Sequence, residues 1–275
     1  MAQHEFDPGY LDEPFRSLVE DYPGVETYPA ADFRVEWGPV FHRGRLDGSA
    51  RVVVIGQDPA QHEVIVRRIL VGAAGQRVQG FLARLGLERS YVMVNTFLYS
   101  VYGQGGGERH DDDQAIAGYR NRWLDALLVG TRVEAVVALG RLADKAFQAW
   151  RETPAGQQAQ VAYRRITHPT APESASGGDP DRYDQAVAAM LDNWNQGLEG
   201  LRPAVRHPDV DRELVPYGER LESADYAPIP ERDLPAGLPA WMRSRAWADR
   251  VGATPTLKRA AIVVTVPRDA RPWAP

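Results

Sequence analysis

The sequence predicts an α/β fold of three layers, an α/β/α sandwich around a central, mainly parallel four-stranded sheet. Two observations predict it. Short continuous apolar runs alternate with segments whose apolar residues recur at helical spacing, the pattern of a sheet covered on both faces. Each apolar run also ends in a polar or glycine-containing turn, and sheets of this kind bind ligands outside the carboxyl ends of their strands.

The elements follow in order. Residues 51–55 (RVVVI) form the first expected strand and run into Gly56-Gln57-Asp58-Pro59. Residues 75–85 (GQRVQGFLARL) carry the first clear helical pattern. Residues 91–94 (YVMV) end at Asn95-Thr96, and 103–113 (GQGGGERHDDD) read as a glycine-rich, then acidic, mobile loop. The next helix spans 113–128, with Ile116, Tyr119, Trp123, Leu124 and Leu127 on one face. Residues 133–139 (VEAVVAL) lead into Gly140-Arg141, a helix covers 141–150, and 161–166 (VAYRRI) end at Thr167-His168-Pro169-Thr170. A last helix over 181–195 presents Val187, Met190, Leu191 and Trp194. These elements place an α/β domain in 1–200.

Composition changes after residue 200, where Pro203, Pro208, Pro216, Pro228, Pro230, Pro235 and Pro239 interrupt any period. Residues 201–275 read as a proline-rich extension, an appendage packed on the core or else a partner-docking tail. Two pieces stand out in it, 238–250 with Trp241, Met242 and Trp247, and 260–266 (AAIVVTV), which reads as a strand by its β-branched content.

The chain contains no cysteine, which excludes disulfides, thiolate zinc sites, iron–sulfur clusters and a cysteine nucleophile. Six scattered histidines show no metal-ligand spacing, so no metal and no cofactor is expected. No apolar run reaches the length of a membrane span, and the first fourteen residues lack the apolar core of a secretory signal; a cytoplasmic protein is expected. The net charge is −5, which argues against bulk, non-specific binding of nucleic acid. Only Lys145 and Lys258 are lysines, and arginine suits bidentate phosphate contacts.

Three strand ends hold the candidate chemistry. Asp58 follows a buried strand on a turn stiffened by glycine and proline; it reads either as a desolvated functional carboxylate or as a helix cap. Asn95 offers both donor and acceptor groups, as a heterocycle edge requires, or simply forms a turn. His168 is followed by a proline that fixes its backbone and by Thr170.

Taken together, GQDP, an asparagine after the second strand and a His-Pro-Thr loop resemble the uracil-DNA glycosylase superfamily. Residues 69–85 (ILVGAAGQRVQGFLARL) are similar to the PFVGxAGxLL segment of its thermostable branch. Residues 91–104 (YVMVNTFLYSVYGQ) and 136–143 (VVALGRLA) are similar to the strand segments that follow it there. The resemblance covers residues 50–195. It implies hydrolysis of the N-glycosidic bond of uracil or a related deaminated base in DNA, with Asp58 and His168 catalytic. Gly56, Gln57, Ala60, Leu70 and Asn95 would bind the base, and Pro169 and Thr170 would press on the DNA. The implied partner is DNA, single- or double-stranded, with the target base flipped out; a monomer is expected.

Four departures accompany it. Ala60 stands where uracil-specific members carry an aromatic, which leaves room beside C5 of the base. Leu70 replaces a stacking phenylalanine, and Phe97 or Phe81 are candidates to take over that contact, worth ~1–3 kcal/mol. The thermostable branch holds an iron–sulfur cluster for which this chain has no cysteines. The residues after Thr170, Ala171-Pro172-Glu173-Ser174, lack the usual wedge, and Glu173 with 111–113 would repel phosphate if they faced DNA. The alternative is a weak or inactive member that binds nucleobases, DNA or partner proteins. Retention of Asp58 with His168 favours the enzyme.

Overall fold

Valine, isoleucine and alanine crowd the strands because both faces of the sheet are covered. The computed structural model describes residues 6–102, 107–252 and 261–271. In chain order the elements are α1 (Phe15–Glu20), β1 (His42–Gly44), β2 (Val52–Gly56), α2 (Gln61–Val66), α3 (Ala73–Arg84) and β3 (Tyr91–Asn95). Then come α4 (Gln114–Leu128), β4 (Ala135–Leu139), α5 (Gly140–Arg151), β5 (Ala162–Ile166), α6 (Ala171–Ser176) and α7 (Pro180–Leu201). The short strands β6 (Ala248–Arg250) and β7 (Ile262–Val264) close the described chain.

The sheet order is β1-β3-β2-β4-β5, with β2, β3, β4 and β5 parallel. Successive side chains of a strand point to opposite faces. Val53, Ile55, Val92, Val94, Val136 and Ala138 accordingly pack toward α4 and α5 through Trp123, Leu124 and Phe147. Val52, Val54, Met93, Ala135, Val137 and Leu139 face α3 and α7 through Phe81, Leu82, Leu191 and Trp194. β5 exposes Arg164 and Arg165, as an edge strand does.

The sheet has a fifth strand beside the four expected. β1 pairs antiparallel with β3, His42 opposite Val94 and Gly44 opposite Val92. Its sequence, His-Arg-Gly, carries no apolar signal because its central side chain is satisfied by polar partners. Arg43 is fully buried and donates to Ile69 O, Gln79 Oε1 and Asp233 Oδ2, each at 3.0 Å. The short helices α1, α2 and α6 fall in stretches where too few turns exist to show a period.

Helix ends follow their capping chemistry. Asp113 accepts from the N–H groups of Ala115 and Ile116 and starts α4. Asp179 does the same for α7, where Pro180 sits at the first helical position, and the helix runs six residues beyond the expected 195. Of the loop at 103–113, residues 103–106 lie outside the described residues, and Gly107–His110 form a 3₁₀ turn.

The segment after α7 makes its own contacts with the rest of the chain. Asp233 is fully buried and accepts from Arg43, Arg45 and the Tyr91 hydroxyl, the last at 2.6 Å. Asp209 accepts from three consecutive backbone N–H groups, those of Glu88, Arg89 and Ser90. Ile229, Leu234, Trp247 and Ala248 bury against Val66 and Val71. In the expected 260–266 strand, residue 260 lies outside the described residues; Ile262–Val264 pair with β6 instead of joining the main sheet. Among the described residues no helix is long and apolar enough to cross a membrane.

Candidate active site

Because β2, β3, β4 and β5 run parallel, the turns that follow them converge on one edge. There they line a cleft of about 560 Å³ whose walls include Gln57, Asp58, Ala60, Leu70, Asn95, Arg141, His168 and Thr170. Gly56 and Pro169 are not on its walls. Backbone bonds stitch the first two turns together, Thr96 N–H to Gly56 O at 2.9 Å and Phe97 N–H to Gln57 O at 2.8 Å.

Asp58 lines the cleft with one carboxylate oxygen tied down. Oδ2 accepts from the Val101 N–H at 3.0 Å. Enclosure by protein pushes the acid's pKa up to about 6, against the Val101 bond and the charges of Arg250 and Arg34. It is therefore a carboxylate at neutral pH with a charge little compensated by its surroundings.

Asn95 reaches the cleft because residue 56 is glycine. A Cβ built on Gly56 would lie 2.3 Å from Asn95 Oδ1, so any side chain there would displace the amide. Asn95 Nδ2 is buried and has no hydrogen-bond partner among the described residues. An orphan amide donor beside an open cleft is set for a ligand acceptor.

The tautomer of His168 follows from its neighbours. Nδ1 lies 3.2 Å from the Thr170 N–H, which can only donate, and 3.0 Å from the Thr170 hydroxyl. Nδ1 is thus the acceptor, and in the neutral ring the proton sits on Nε2. Burial pushes the ring's pKa down to about 4, with Glu173 working the other way, so at neutral pH the ring is an uncharged donor. The loop is braced from behind. Thr167 N–H donates to Asn193 Oδ1 at 2.6 Å, Trp194 Nε1 donates to Thr167 O at 2.8 Å, and Arg77 donates to Pro169 O.

Side chains of this loop and of its acidic neighbours have partners within the protein. Pro169 is buried, and Thr170, on the cleft wall, turns its hydroxyl onto His168. Glu173 is ion-paired with Arg77 at 2.7 Å, Asp111 with Lys145 at 2.7 Å, and Asp113 caps α4, so these three carboxylates have partners, while Asp112 is exposed. Phe97 and Phe81 do not replace the missing stacking ring. Both are buried in the core, Phe97 against Phe33 and Phe81 against Trp194. The apolar wall is Leu70 with Ala60, Ala74, Val101 and Leu142.

Glu63 is a cleft residue that sequence reasoning missed. It is buried, accepts from the Leu70 N–H at 2.5 Å and also from the Ala60 N–H, and so ties together two residues of the cleft wall. Leu70 needs that tether, since its φ of 52° is a left-handed conformation costing a leucine about 1–3 kcal/mol. Gly75 makes room for it: a Cβ there would lie 1.5 Å from Leu70 O. A glutamate at the third position of a helix is half of a capping box, and that was the available signal.

Burial, then the charge of Asp58, pushes the Glu63 carboxyl from 4.5 up to about 7. A carboxyl raised in the folded state contributes stability that is complete below its unfolded value and is lost as pH rises through the folded one. That difference corresponds to on the order of 3 kcal/mol. The melting temperature of the wild type therefore falls relative to that of Glu63→Gln as pH rises from 4.5 through about 7. Paired thermal melts across that range check it; a constant gap would contradict the burial of the charge.

Among the described residues no cluster of histidine and acidic side chains is arranged to hold a metal ion. The chain has no cysteine, so its residues do not fit an iron–sulfur cluster either. In comparisons with known proteins, the family model described as the Uracil DNA glycosylase superfamily matches residues 43–191, more than half of the chain. No curated protein matches it.

Proposed function

This chain belongs to the uracil DNA glycosylase superfamily, and on that premise we propose that it hydrolyses the N-glycosidic bond of uracil or a related deaminated base in DNA. The observation that carries the reading is the pairing in one cleft of an uncompensated carboxylate, Asp58, with a neutral histidine whose proton is on Nε2.

Cleavage of the C1′–N1 bond leaves positive charge on the sugar and negative charge on the departing base. The Asp58 carboxylate stabilises the sugar cation and orients a water, whose oxygen bonds to C1′. The His168 Nε2–H donates to the base O2 as charge accumulates there, and the water's released proton balances the base anion. An uncharged histidine does this without giving up a proton. Asn95 Nδ2 takes a base carbonyl, which satisfies the donor left unpaired in the free protein. The base reaches these groups only when rotated out of the helix stack, which is least costly in single strands or mismatches.

Ala60 and Leu70 shape the specificity. Neither bulk nor an aromatic face closes the C5 side of the pocket, so bases beyond uracil enter. Excision is tested on uracil, hypoxanthine and mismatched-thymine oligonucleotides, single- and double-stranded. Abasic product from uracil is the expected result; no product from any substrate with enzyme in excess would overturn the reading.

A further inference from the structure

The region after α7 lies outside the span matched by the family model, yet it enters the cleft. Arg250, the last residue of β6, lines the wall together with Asp58 and Glu63. Beside the apolar contacts of Trp247 and Ala248 with Val66 and Val71, one polar side chain ties its strand to the segment after Ala60. His62, two residues after Ala60, accepts at Nε2 from the Trp247 and Ala248 N–H groups, at 3.4 and 3.3 Å. The His62 ring also meets Trp247 edge-on at 5.0 Å. Burial lowers the pKa of this imidazole, which keeps it uncharged and able to accept. On its other side β6 pairs with β7, Arg250 opposite Ile262.

The Arg250 side chain is exposed and forms no hydrogen bond or ion pair with any described residue, although its charge acts on Asp58. The second arginine of the cleft, Arg141, is already bonded to Glu108 and lies 3.6 Å from Asp111. Arg250 is thus the cation of the described cleft wall that is still available to an anion. The other charged walls, Asp58, Glu63 and Glu108, are carboxylates, which repel a phosphate unless something offsets them. A guanidinium fork matches a phosphodiester in two parallel bonds.

We propose that Arg250 binds a backbone phosphate of the substrate strand beside the extruded nucleotide, so that the C-terminal segment is a working part of the DNA-binding surface. The inference rests on the glycosylase reading of the cleft, and its test has a readout that does not need base release.

Full-length wild type, Arg250→Ala, Arg250→Lys and Arg250→Glu are titrated by fluorescence anisotropy onto a single-stranded uracil oligonucleotide at several salt concentrations. Losing one phosphate contact lowers the slope of log affinity against log salt by about 0.7 for a single strand. Arg250→Ala is expected to show that loss with roughly tenfold weaker binding at low salt, Arg250→Lys to restore part of it, and Arg250→Glu to be weakest. A neutral methylphosphonate placed next to the uracil should weaken the wild type and leave Arg250→Ala unchanged. Equal affinity and slope in wild type, Ala and Glu variants would overturn the proposal, as would a wild type that does not bind DNA. An effect confined to the pH profile of excision, with binding untouched, would also overturn it, because Arg250 would then act only on the charge of Asp58. Excision by the wild type, measured in parallel, judges the glycosylase reading separately.

Discussion

Asp58→Asn lowers the single-turnover rate of uracil release by a factor on the order of 10³, while binding of the uracil oligonucleotide persists. The substitution is nearly isosteric and its amide oxygen still accepts from Val101 N–H, so the turn stays in place and only the charge is lost. That charge is the proposed source of stabilisation for the sugar cation, and a single preorganised electrostatic group is worth about 10²–10³ in rate. The wild type should also show the carboxylate in its pH profile. Asp58 ionises near about pH 6, and His168 is already uncharged above about pH 4, so excision rises through about pH 6 and then levels. Rates from pH 4.5 to 8 check both points. Full activity in the asparagine variant would remove Asp58 from the mechanism, whatever else the cleft does. Stability runs the other way over the same window: the raised carboxyls of Asp58 and Glu63 stabilise below their unfolded values and lose that contribution as pH rises through about 6 and about 7. The protein is then most active where its cleft is least stable, a cost common at strained or desolvated sites.

Asp233→Ala lowers stability by about 3–5 kcal/mol, the usual result of removing one partner from a buried ion pair. Asp233 is the carboxylate beside the fully buried Arg43, and it also receives Arg45 and the Tyr91 hydroxyl. Without it, the guanidinium inside the sheet edge keeps only neutral acceptors. For a chain of this size the expected fall in melting temperature is on the order of 10 °C. The measurement bears on organisation as well, since Asp233 lies in the 201–275 segment and Arg43 in β1. We read that segment as docked on the α/β core, and an unchanged melt would show it to be energetically separate.

Much of the sheet was legible from residues 51–55, 91–94 and 133–139, because continuous β-branched runs have few other uses in a chain of this composition. Together with 161–166, the same runs place Asp58, Asn95 and His168 at one edge, since parallel strands end together. His-Arg-Gly in β1 was not legible. Neither were Glu63, His62 or Arg250, each of which takes its meaning from a partner far along the chain or from a half-motif without its other half. His62 looked like one scattered histidine among six, and only its bonds to the Trp247 and Ala248 N–H groups set it apart. The aromatic expected at the pocket was misplaced for a related reason: Phe81 and Phe97 have the right chemistry, but their positions turn them into the two cores.

By itself the sequence determined the layered sheet, its helices and the edge where three chemically apt residues meet. Apolar periodicity is a local property, repeated every two or 3.6 residues, and it survives in a linear reading. The tertiary structure alone decided the protonation of His168, the tether of Leu70, the fifth strand and the arrival of Arg250 in the cleft. Those rest on buried polar pairs, some joining residues 190 apart, as Arg43 and Asp233 are. A buried charge is tolerable only beside its partner, and that pairing leaves no periodic trace in the sequence.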